Sequence, residues 1–388
     1  YYNNTNDKEK GIMKVLYLRY YSNNNMTHWQ DMNFIHELSQ YDVDFEVLNF
    51  TNQTQEEIIA QIKLKYDDVD LFLSSCDDEV LSKELMQVID EKSIPTLLMC
   101  FDNLSVPFKH KNCCRLFDLV WITSKETEYL FKKWGAKIIF LPYAANPFVY
   151  RPIKGINNKI PGVTFIGSCY GVRRRKIEEI LREGHIVNLF GGNSISNEQP
   201  NPLLNSLTNI PRSLKSVYNL SRFEIGRKCL ISAVIKSISS NGNVSDEFKL
   251  LDENRIRLTF DEMVECYSSS QLSLGISELW NTYKLNTPIH KIHLRTFEIP
   301  MSGGALITSR TDEMLDYFED KKEILLYENI EEMNDIMSFY LNDKNEKLLT
   351  EIKYQARERS QKEHTWRNRF GACLKELGGS NESFNCLL

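Results

Sequence analysis

The sequence predicts an α/β protein of two domains, each built on a parallel β-sheet. Short apolar runs alternate with helix-like segments through the first 140 residues, a Pro-rich break follows, and a second series of the same kind begins. The length of 388 residues also favours two domains over one. Apolar strands that alternate with helices are typical of a parallel sheet covered on both faces, and such sheets bind ligands beyond the carboxyl ends of their strands.

The first half of the chain contains six candidate strands and four candidate helices. Each strand is a short apolar run, and each helix has apolar residues at a helical spacing. The strands are predicted at residues 14–18, 45–48, 71–74, 96–100, 119–123 and 137–140. The helices between them are predicted at residues 31–38, 55–65, 79–91 and 125–134.

A linker is predicted at residues 141–152, because Pro142, Pro147 and Pro152 do not fit the interior of regular structure. Beyond it, five more strands are expected, and the tail reads as helical. The resulting domains are 12–145, 146–350 and a C-terminal helical segment, 351–388, that packs back on the first domain. The later strands are predicted at 162–166, 186–190, 271–276, 305–308 and 323–326, and the tail helix at 348–377.

Residues 193–255 are predicted to be an insertion in the second domain. They are rich in Asn and Ser and then contain a helix-like stretch at 221–238. We interpret the insertion as either a cap over an acceptor or a packing surface.

Composition and charge exclude several classes of protein. The net charge of −6 disfavours a nucleic-acid binder that depends on phosphate neutralisation. The sequence has no run of 18 apolar residues, so no membrane span is expected. Residues 1–10 are polar and lack the apolar core of a secretory signal, so we expect a disordered leader there. Nine cysteines without a Cys-x-x-Cys pair fit reduced thiols, and hence a cytoplasmic protein, better than disulfides or a zinc site.

The most informative stretch is residues 294–308. Arg295 and Glu298 lie one helical turn apart, Gly303 and Gly304 follow, and an apolar run comes next. This order predicts a short helix with two ionic groups, a glycine-mediated stop and a buried strand. Two charges beside a glycine-rich bend are suited to hold an anionic ligand. The alternative is an ordinary turn with a surface ion pair.

This stretch resembles the donor-sugar motif of GT-B glycosyltransferases, in the group related to the spore-maturation protein CgeB. The family pattern is close to Arg-x-Phe-Glu-x-x-x-x-Gly, matched here from Arg295 to Gly303. The linker also resembles the family's Leu-Pro-x-Ala-Ala-x-Pro-x-x-x-x-Pro, and residues 363–366, Glu-His-Thr-Trp, resemble its C-terminal motif. The similarity covers roughly residues 95–150 and 160–370, which is most of the chain.

The resemblance implies a GT-B fold: two Rossmann-like domains that face a cleft, with a C-terminal helix that crosses back to the first domain. The implied reaction transfers a hexosyl-type group from a nucleotide diphosphosugar, with a UDP-sugar favoured, to an acceptor that the sequence does not identify (glycan, protein or other). A nucleic-acid acceptor is disfavoured but not excluded. The transfer is expected to retain the anomeric configuration and to require no metal or other cofactor. Two alternatives stay open: a sugar-nucleotide epimerase on the same fold, and a non-catalytic protein that binds nucleotide sugars.

A candidate phosphate site lies where an apolar strand runs into Gly167-Ser168 and then into a helix that begins with basic residues. Backbone N–H groups at a helix N-terminus favour a phosphate, and a bound anion would offset the unfavourable basic charge there. By similarity to the Arg and Lys that grip the diphosphate in related enzymes, Arg173 and Lys176 are assigned this role. The alternative is a solvated basic face paired with Glu178 and Glu179.

The resemblance assigns Glu298 to the ribose hydroxyls, which a carboxylate can accept in pairs. Related enzymes have a second Glu eight positions earlier, where this chain has His290. His290 either donates to the sugar or a phosphate, or is a packing residue. Arg295 is either a phosphate ligand or the partner of Glu298, and Gly303 either lets backbone approach the ligand or caps the helix.

Two more candidates complete the site. Thr259 and Glu262 have the spacing of a capping box that opens a helix. The resemblance to GT-B enzymes implies that the backbone around residues 257–259 recognises the base, and the alternative for the side chains is a plain helix cap. Asp102 follows the fourth strand, where the CgeB-like family often has an acidic residue. By this resemblance it orients an acceptor hydroxyl or acts as a base, and the alternative is that it caps a turn. The catalytic residues expected are thus Asp102, Arg173 and Arg295. The Asp-x-Asp triplets at 42–44 and 68–70 are interpreted as acids at strand edges rather than metal ligands.

Overall fold

The protein is described here from a computed structural model that covers residues 12–378, except 22–24, 66–67, 154–158, 192–209 and 240–243, together with Phe384 and Leu387. The chain divides into two compact units. Unit 1 consists of Tyr1–Pro142 with Thr365–Leu388, and unit 2 is Tyr143–His364. The predicted leader at residues 1–10 lies outside the described residues.

Unit 1 contains a six-stranded parallel sheet with the order β2-β1-β3-β4-β5-β6. The central strands are buried along their whole length because helices cover both faces of such a sheet. All six strands predicted for this half are confirmed. The strands are β1 Met13–Tyr20, β2 Val43–Phe50, β3 Leu71–Ser74, β4 Thr96–Cys100, β5 Leu119–Ile122 and β6 Ile138–Phe140.

The helices of unit 1 pack their apolar stripes on this sheet. In α4, for example, Ser82 caps the N-terminus by accepting the N–H of Leu85 at 3.1 Å, and Met86 and Ile89 are buried. The first helix is continuous through a π-helical turn, Asp31–Ile35. The helices are α1 Asn25–Gln30, α2 His36–Leu38, α3 Gln55–Lys65, α4 Lys83–Asp90 and α5 Glu128–Lys133, with 3-10 turns at Ser39–Tyr41, Pro107–His110, Cys114–Leu116 and Lys125–Thr127.

Unit 2 contains a five-stranded parallel sheet with the order β11-β10-β9-β7-β8. The five predicted strands are all found. They are β7 Ile160–Ile166, β8 Val187–Phe190, β9 Ser270–Leu274, β10 Leu306–Ser309 and β11 Leu325–Tyr327. The helices are α6 Val172–Arg182, α7 Ile210–Ser221, α8 Glu224–Ile238, α9 Asp246–Glu253, α10 Phe260–Ser269, α11 Arg295–Met301, α12 Asp312–Tyr317, α13 Ile330–Tyr340 and α14 Glu346–Glu363, with 3-10 turns at Thr282–Lys284 and Asp343–Asn345.

The predicted tail helix is in fact two helices that lie in different units. His364 has non-helical backbone angles (φ −120°, ψ 40°) and separates α14 from α15, Trp366–Gly378. Residues 351–364 therefore belong to unit 2, where Ile352 is buried in the core, and not with the following helix. The carboxylate of Glu37 accepts the backbone N–H groups of Trp366 and Arg367 at 3.2 and 2.9 Å, which fixes α15 within unit 1.

Of the predicted insertion at 193–255, residues 193–209 and 240–243 lie outside the described residues. The rest forms α7, α8 and α9, and Phe248 of α9 packs into the core of unit 2. Eight cysteines are described, and all are buried and unbridged. Within the described ranges, no helix combines the length and apolar character needed to span a bilayer.

Candidate functional site

The sheet of unit 2 has one position where a ligand site is expected from topology alone. The chain leaves β7 to form β8 on one side and then returns to form β9 on the other side. The loops after β7 and β9 therefore diverge at a topological switch point, where open parallel sheets bind their ligands. The first of these loops contains Gly167 and Ser168 and leads into α6 at Val172.

Two guanidinium groups converge beside this loop. The guanidinium carbons of Arg173, in α6, and Arg295, at the start of α11, lie 5.9 and 5.8 Å from the centroid of the Phe165 ring. A Cβ atom on Gly167, where φ is +149°, would lie 2.7 Å from Nη2 of Arg295. Gly167 is therefore required for the guanidinium to occupy this position.

The positive charge of this pair is only partly balanced by the described part of the protein, where Glu278 acts on Arg173 from beyond salt-bridge distance. Within it, neither Arg173 nor Arg295 has a carboxylate at salt-bridge distance. Burial lowers the pKa of Arg173, and the charge on Arg295 lowers it further. Burial, followed by the charges on Lys291, Arg173 and Arg295, holds the pKa of His293 well below its usual range. An anion would relieve this accumulation of positive charge.

Lys176 is one turn further along α6, but it lies in a separate, neutralised network. Its ammonium group pairs with the Glu278 carboxylate and donates to the hydroxyls of Tyr327 and Ser309 at 2.8 and 3.1 Å. Burial would lower the pKa of Lys176, but Tyr327 and Glu278 outweigh it and the pKa is raised. All three donors of the ammonium group thus have partners, in contrast to the diphosphate role that the sequence suggested for it.

Glu278 is the site residue that sequence reasoning missed. One carboxylate oxygen binds Lys176, while the other, Oε2, is buried and has no hydrogen-bond partner within the described residues. His290 lies directly opposite Glu278 in an antiparallel bridge, and its Nδ1 is 2.8 Å from the hydroxyl of Ser277. His290 stands where related enzymes are expected to have a Glu. The segment paired with it supplies a carboxylate instead, that of Glu278.

Glu298 is buried and does not pair with Arg295. Its side chain is 4% exposed, and Oε1 accepts the hydroxyl of Tyr150 at 2.8 Å. Tyr150 belongs to the Pro-rich segment, which unit 2 therefore holds through this bond. The structure shows no ion pair between Arg295 and Glu298, and Arg295 instead lies against the ring of Phe165.

Gly303 and Thr259 both have local structural roles. Gly303 ends α11 with φ at +75°, and its N–H donates to the carbonyl of Pro300 at 2.9 Å. A Cβ atom there would lie 2.8 Å from the Pro152 ring, so the space beside Gly303 is filled by protein. The capping box is confirmed: Thr259 accepts the N–H of Glu262, and the Glu262 carboxylate accepts the N–H of Thr259 at 2.7 Å.

A buried ion pair supports the loop after β7. Arg255 and Asp252 are 2.7 Å apart with both side chains fully buried. Arg255 also donates to the carbonyl of Gly167 at 2.8 Å. The backbone of Gly191 packs closely on Gly167, and a Cβ added to Gly191 would lie 2.9 Å from the carbonyl oxygen of Gly167. These contacts hold the loop in place, and the Asn- and Ser-rich sequence before them gave no signal of their role.

Asp102 lies in unit 1 at the turn that follows β4, and its side chain is exposed. Its carbonyl accepts the N–H groups of Ser105 and Val106 at 3.1 Å. In the same unit, Asp68 pairs with Lys14, and Asp70 accepts the N–H of Lys14 at 2.8 Å. The acids of that Asp-x-Asp triplet thus bind a neighbouring strand, as predicted.

The comparison with known proteins identifies the fold. Solved structures that resemble the chain include sucrose-phosphate synthase from Thermosynechococcus elongatus, with a TM-score of 0.53, 11% identity and coverage of 95% of this chain and 100% of the other. HepE from Anabaena in complex with UDP-glucose has a TM-score of 0.54 and 13% identity, with coverage of 94% and 99%. A glycosyltransferase from Rickettsia africae has a TM-score of 0.53 and 11% identity, with coverage of 95% and 99%.

The chain has the GT-B fold of these glycosyltransferases. Residues 237–375 match the family model described as glycosyl transferase-like. This segment includes Glu278, Arg295 and Glu298, whereas Arg173 and the rest of α6 lie before it. No curated protein matches the chain.

Proposed function

We propose that the protein is a glycosyltransferase that moves a sugar from a nucleotide diphosphosugar to an acceptor. The observation that carries the proposal is the pair formed by Arg173 and Arg295, which lies at the switch point of a parallel sheet without a carboxylate partner among the described residues. A diphosphate supplies the negative charge that this pair lacks. A UDP-sugar is the favoured donor, and the complex of the similar HepE fold with UDP-glucose supports this choice.

The chemistry follows from where charge develops. The bond between the anomeric carbon and the diphosphate oxygen breaks, the acceptor oxygen bonds to that carbon, and the acceptor loses its proton. The leaving diphosphate gains negative charge, and fixed cations near that oxygen stabilise the transition state more than the ground state. Arg173, Arg295 and the N–H groups at the start of α6 are suited to this role. Because these groups are already in place, little reorganisation opposes the reaction.

Other parts of the proposal rest on the family resemblance. Glu298 binds the ribose once its bond to Tyr150 is shared or exchanged, and Asp102 orients the acceptor hydroxyl or accepts its proton. His290 and Glu278 bind the sugar. We further propose that the protein belongs to the CgeB-like group and is cytoplasmic. The proposed transfer retains the anomeric configuration and needs no metal.

Calorimetric titration with UDP, GDP and their sugars tests the donor. We expect one nucleotide class to bind, and its affinity to be unchanged when EDTA is added. Product analysis with the bound sugar nucleotide then distinguishes the reaction types: release of the nucleoside diphosphate, with the sugar passed to an acceptor or to water, supports a transferase, whereas an epimerised sugar nucleotide supports the alternative. Failure of every nucleotide and nucleotide sugar to bind would refute the donor site itself.

A further inference from the structure

The helical hairpin of α7 and α8 exposes an apolar stripe to solvent. On α8, Ile231, Val234, Ile235 and Ile238 are 53%, 51%, 36% and 80% exposed. Their spacing of i, i+3, i+4 and i+7 places them on one face of the helix. On α7, Leu214 and Tyr218 add exposed apolar surface one turn apart, at 63% and 62%. An exposed apolar surface formed by neighbouring residues marks an interaction site.

The inward face of α8 explains why the bulky residues point outward. Gly226, Cys229 and Ser232 are buried, and a Cβ on Gly226 would lie 2.1 Å from the carbonyl oxygen of Leu220. The two helices of the hairpin therefore pack closely through small residues. Ile225 is also buried on the inner side, and the remaining large aliphatic side chains, Ile231, Val234, Ile235 and Ile238, occupy an outer face that an ordinary surface helix leaves polar.

The same hairpin has a strong positive charge. Residues 214–239 contain five basic residues and a single acid, Glu224, which gives a net charge of +4 in a chain whose total is −6. Arg227 lies four positions before Ile231, on the same side of α8, and is exposed. The basic residues are Lys215, Arg222, Arg227, Lys228 and Lys236.

We propose that the α7–α8 hairpin docks on an anionic membrane surface. A bilayer interface satisfies both properties at once, because aliphatic side chains enter the boundary of the acyl region while Lys and Arg bind the phosphates of the lipid headgroups. A second copy of the chain would meet this face with the same +4 charge and be repelled. This inference does not depend on the donor site, since none of its residues contributes to the hairpin.

Co-sedimentation of the full chain with vesicles tests the proposal. We expect binding to vesicles of phosphatidylcholine mixed with phosphatidylglycerol, weak binding to phosphatidylcholine alone, and loss of binding at high salt. Each Lys or Arg near an anionic surface contributes roughly fivefold to affinity. The triple variant Lys215→Glu, Arg227→Glu and Lys236→Glu should therefore bind mixed vesicles with an affinity reduced by more than about 100-fold.

A second variant, the triple substitution Ile231→Ser, Val234→Ser and Ile238→Ser, should bind mixed vesicles more weakly than the wild type at low salt and at high salt alike. The matched control replaces Lys347 and Leu348 on the exposed side of α14 with Glu and Ser, and it should bind like the wild type. Both hairpin variants alter exposed or half-exposed side chains, and thermal unfolding verifies that they fold. Absence of binding to mixed vesicles, or equal loss in the control, would overturn the proposal. Concentration-dependent dimers or binding to an acidic polymer, with no vesicle binding, would overturn it in favour of another partner.

Discussion

Replacing Arg295 with glutamine is expected to weaken diphosphate binding and, at the same time, to stabilise the ligand-free protein. Arg295 and Arg173 share the ring of Phe165, and no carboxylate of the described chain lies at salt-bridge distance from either group. Removing one cation therefore relieves repulsion in the empty site. A residue with a purely structural role would show the opposite effect on stability, because its loss would leave a partner unpaired.

The size of the stability gain follows from the shared ring. Each guanidinium carbon lies within 5.9 Å of the same centroid, so the two are at most about 12 Å apart, and their repulsion at an effective dielectric constant of 20 is at least about 1.4 kcal/mol. Loss of the contact between Arg295 and the Phe165 ring offsets roughly 0.5–1 kcal/mol. The net gain is then on the order of 0.5 kcal/mol, which raises the unfolding midpoint by about 1–2 °C.

The loss of affinity should be larger. A hydrogen bond to a charged group contributes roughly 1.5–3 kcal/mol, so the dissociation constant for a diphosphate should rise about ten- to 150-fold. Pyrophosphate and UDP should be affected alike, because the contact is with the diphosphate. Uridine, which lacks phosphate, should be unaffected.

Calorimetric titration and thermal unfolding, each with and without ligand, measure the two effects. Arg174→Gln is the matched control, since Arg174 lies on the same helix as Arg173 but has Glu178 as a partner at 4.0 Å. A lower unfolding midpoint in Arg295→Gln combined with unchanged pyrophosphate affinity would refute the reasoning. An equal loss for uridine and UDP would show that Arg295 contacts the nucleoside and not the diphosphate.

Four further predictions test the surrounding structure. Gly167→Ala should displace the Arg295 guanidinium, whose Nη2 lies 2.7 Å from the added Cβ, and weaken UDP binding in calorimetry. Lys176→Met should destabilise the protein by roughly 3–5 kcal/mol in denaturant unfolding, because Glu278 is left buried without its counterion. Burial raises the pKa of Glu37 to about 7. The folded state therefore binds more protons than the unfolded state below that pH, stability should fall by up to roughly 3 kcal/mol as pH rises from 4.5 to 7, and Glu37→Gln should flatten this profile. Burial and then Lys159 lower the pKa of Lys353 to about 8, so limiting acetic anhydride at pH 8 should label it ahead of the surface lysines, as read by mass spectrometry.

The controls for these predictions come from the same chain. Gly184 has φ at +79° with no atom within 4 Å of an added Cβ, so Gly184→Ala introduces backbone strain without a contact and should leave UDP affinity intact. Equal effects of the two glycine variants on binding would contradict our account of Gly167. If the free energy of unfolding of the wild type rises between pH 4.5 and 7, and rises less in Glu37→Gln, the raised pKa of buried Glu37 is contradicted. Lys353 lines a cavity of about 160 Å³. If acetic anhydride labels Lys353 no faster than it labels surface lysines, the lowered pKa of Lys353 is contradicted.

The fold was predictable because its strands are local signals. Each of the eleven strands is a short apolar run between turn residues, and each was expected within a few positions of its observed bounds. The tail was not predicted correctly, because its division depends on a distant residue. Glu37 caps the start of α15 through the N–H groups of Trp366 and Arg367, and no local pattern near His364 indicates this contact.

The site was predictable only in part, because counterions decide which charges are available. Arg173 and Lys176 lie one turn apart on α6 and look equivalent in sequence. In the structure, Lys176 is neutralised by Glu278, which follows a different strand, whereas Arg173 forms no salt bridge within the described residues and lies beside a second cation, Arg295. The identity of the free cation therefore depends on long-range packing, which a motif does not encode.

The ionisation of the site also limits how its affinity varies with pH. Guanidinium groups remain charged across the physiological range, and the pKa of His293 is held well below its usual range by burial and the neighbouring cations. Burial lowers the pKa of His290 as well. Because these groups keep one protonation state near neutrality, the charge that the site presents to a diphosphate is constant there. Any change in donor affinity between about pH 7 and 8 then originates in the ligand or in residues outside this group, which is the behaviour expected of an anion site built from arginine rather than histidine.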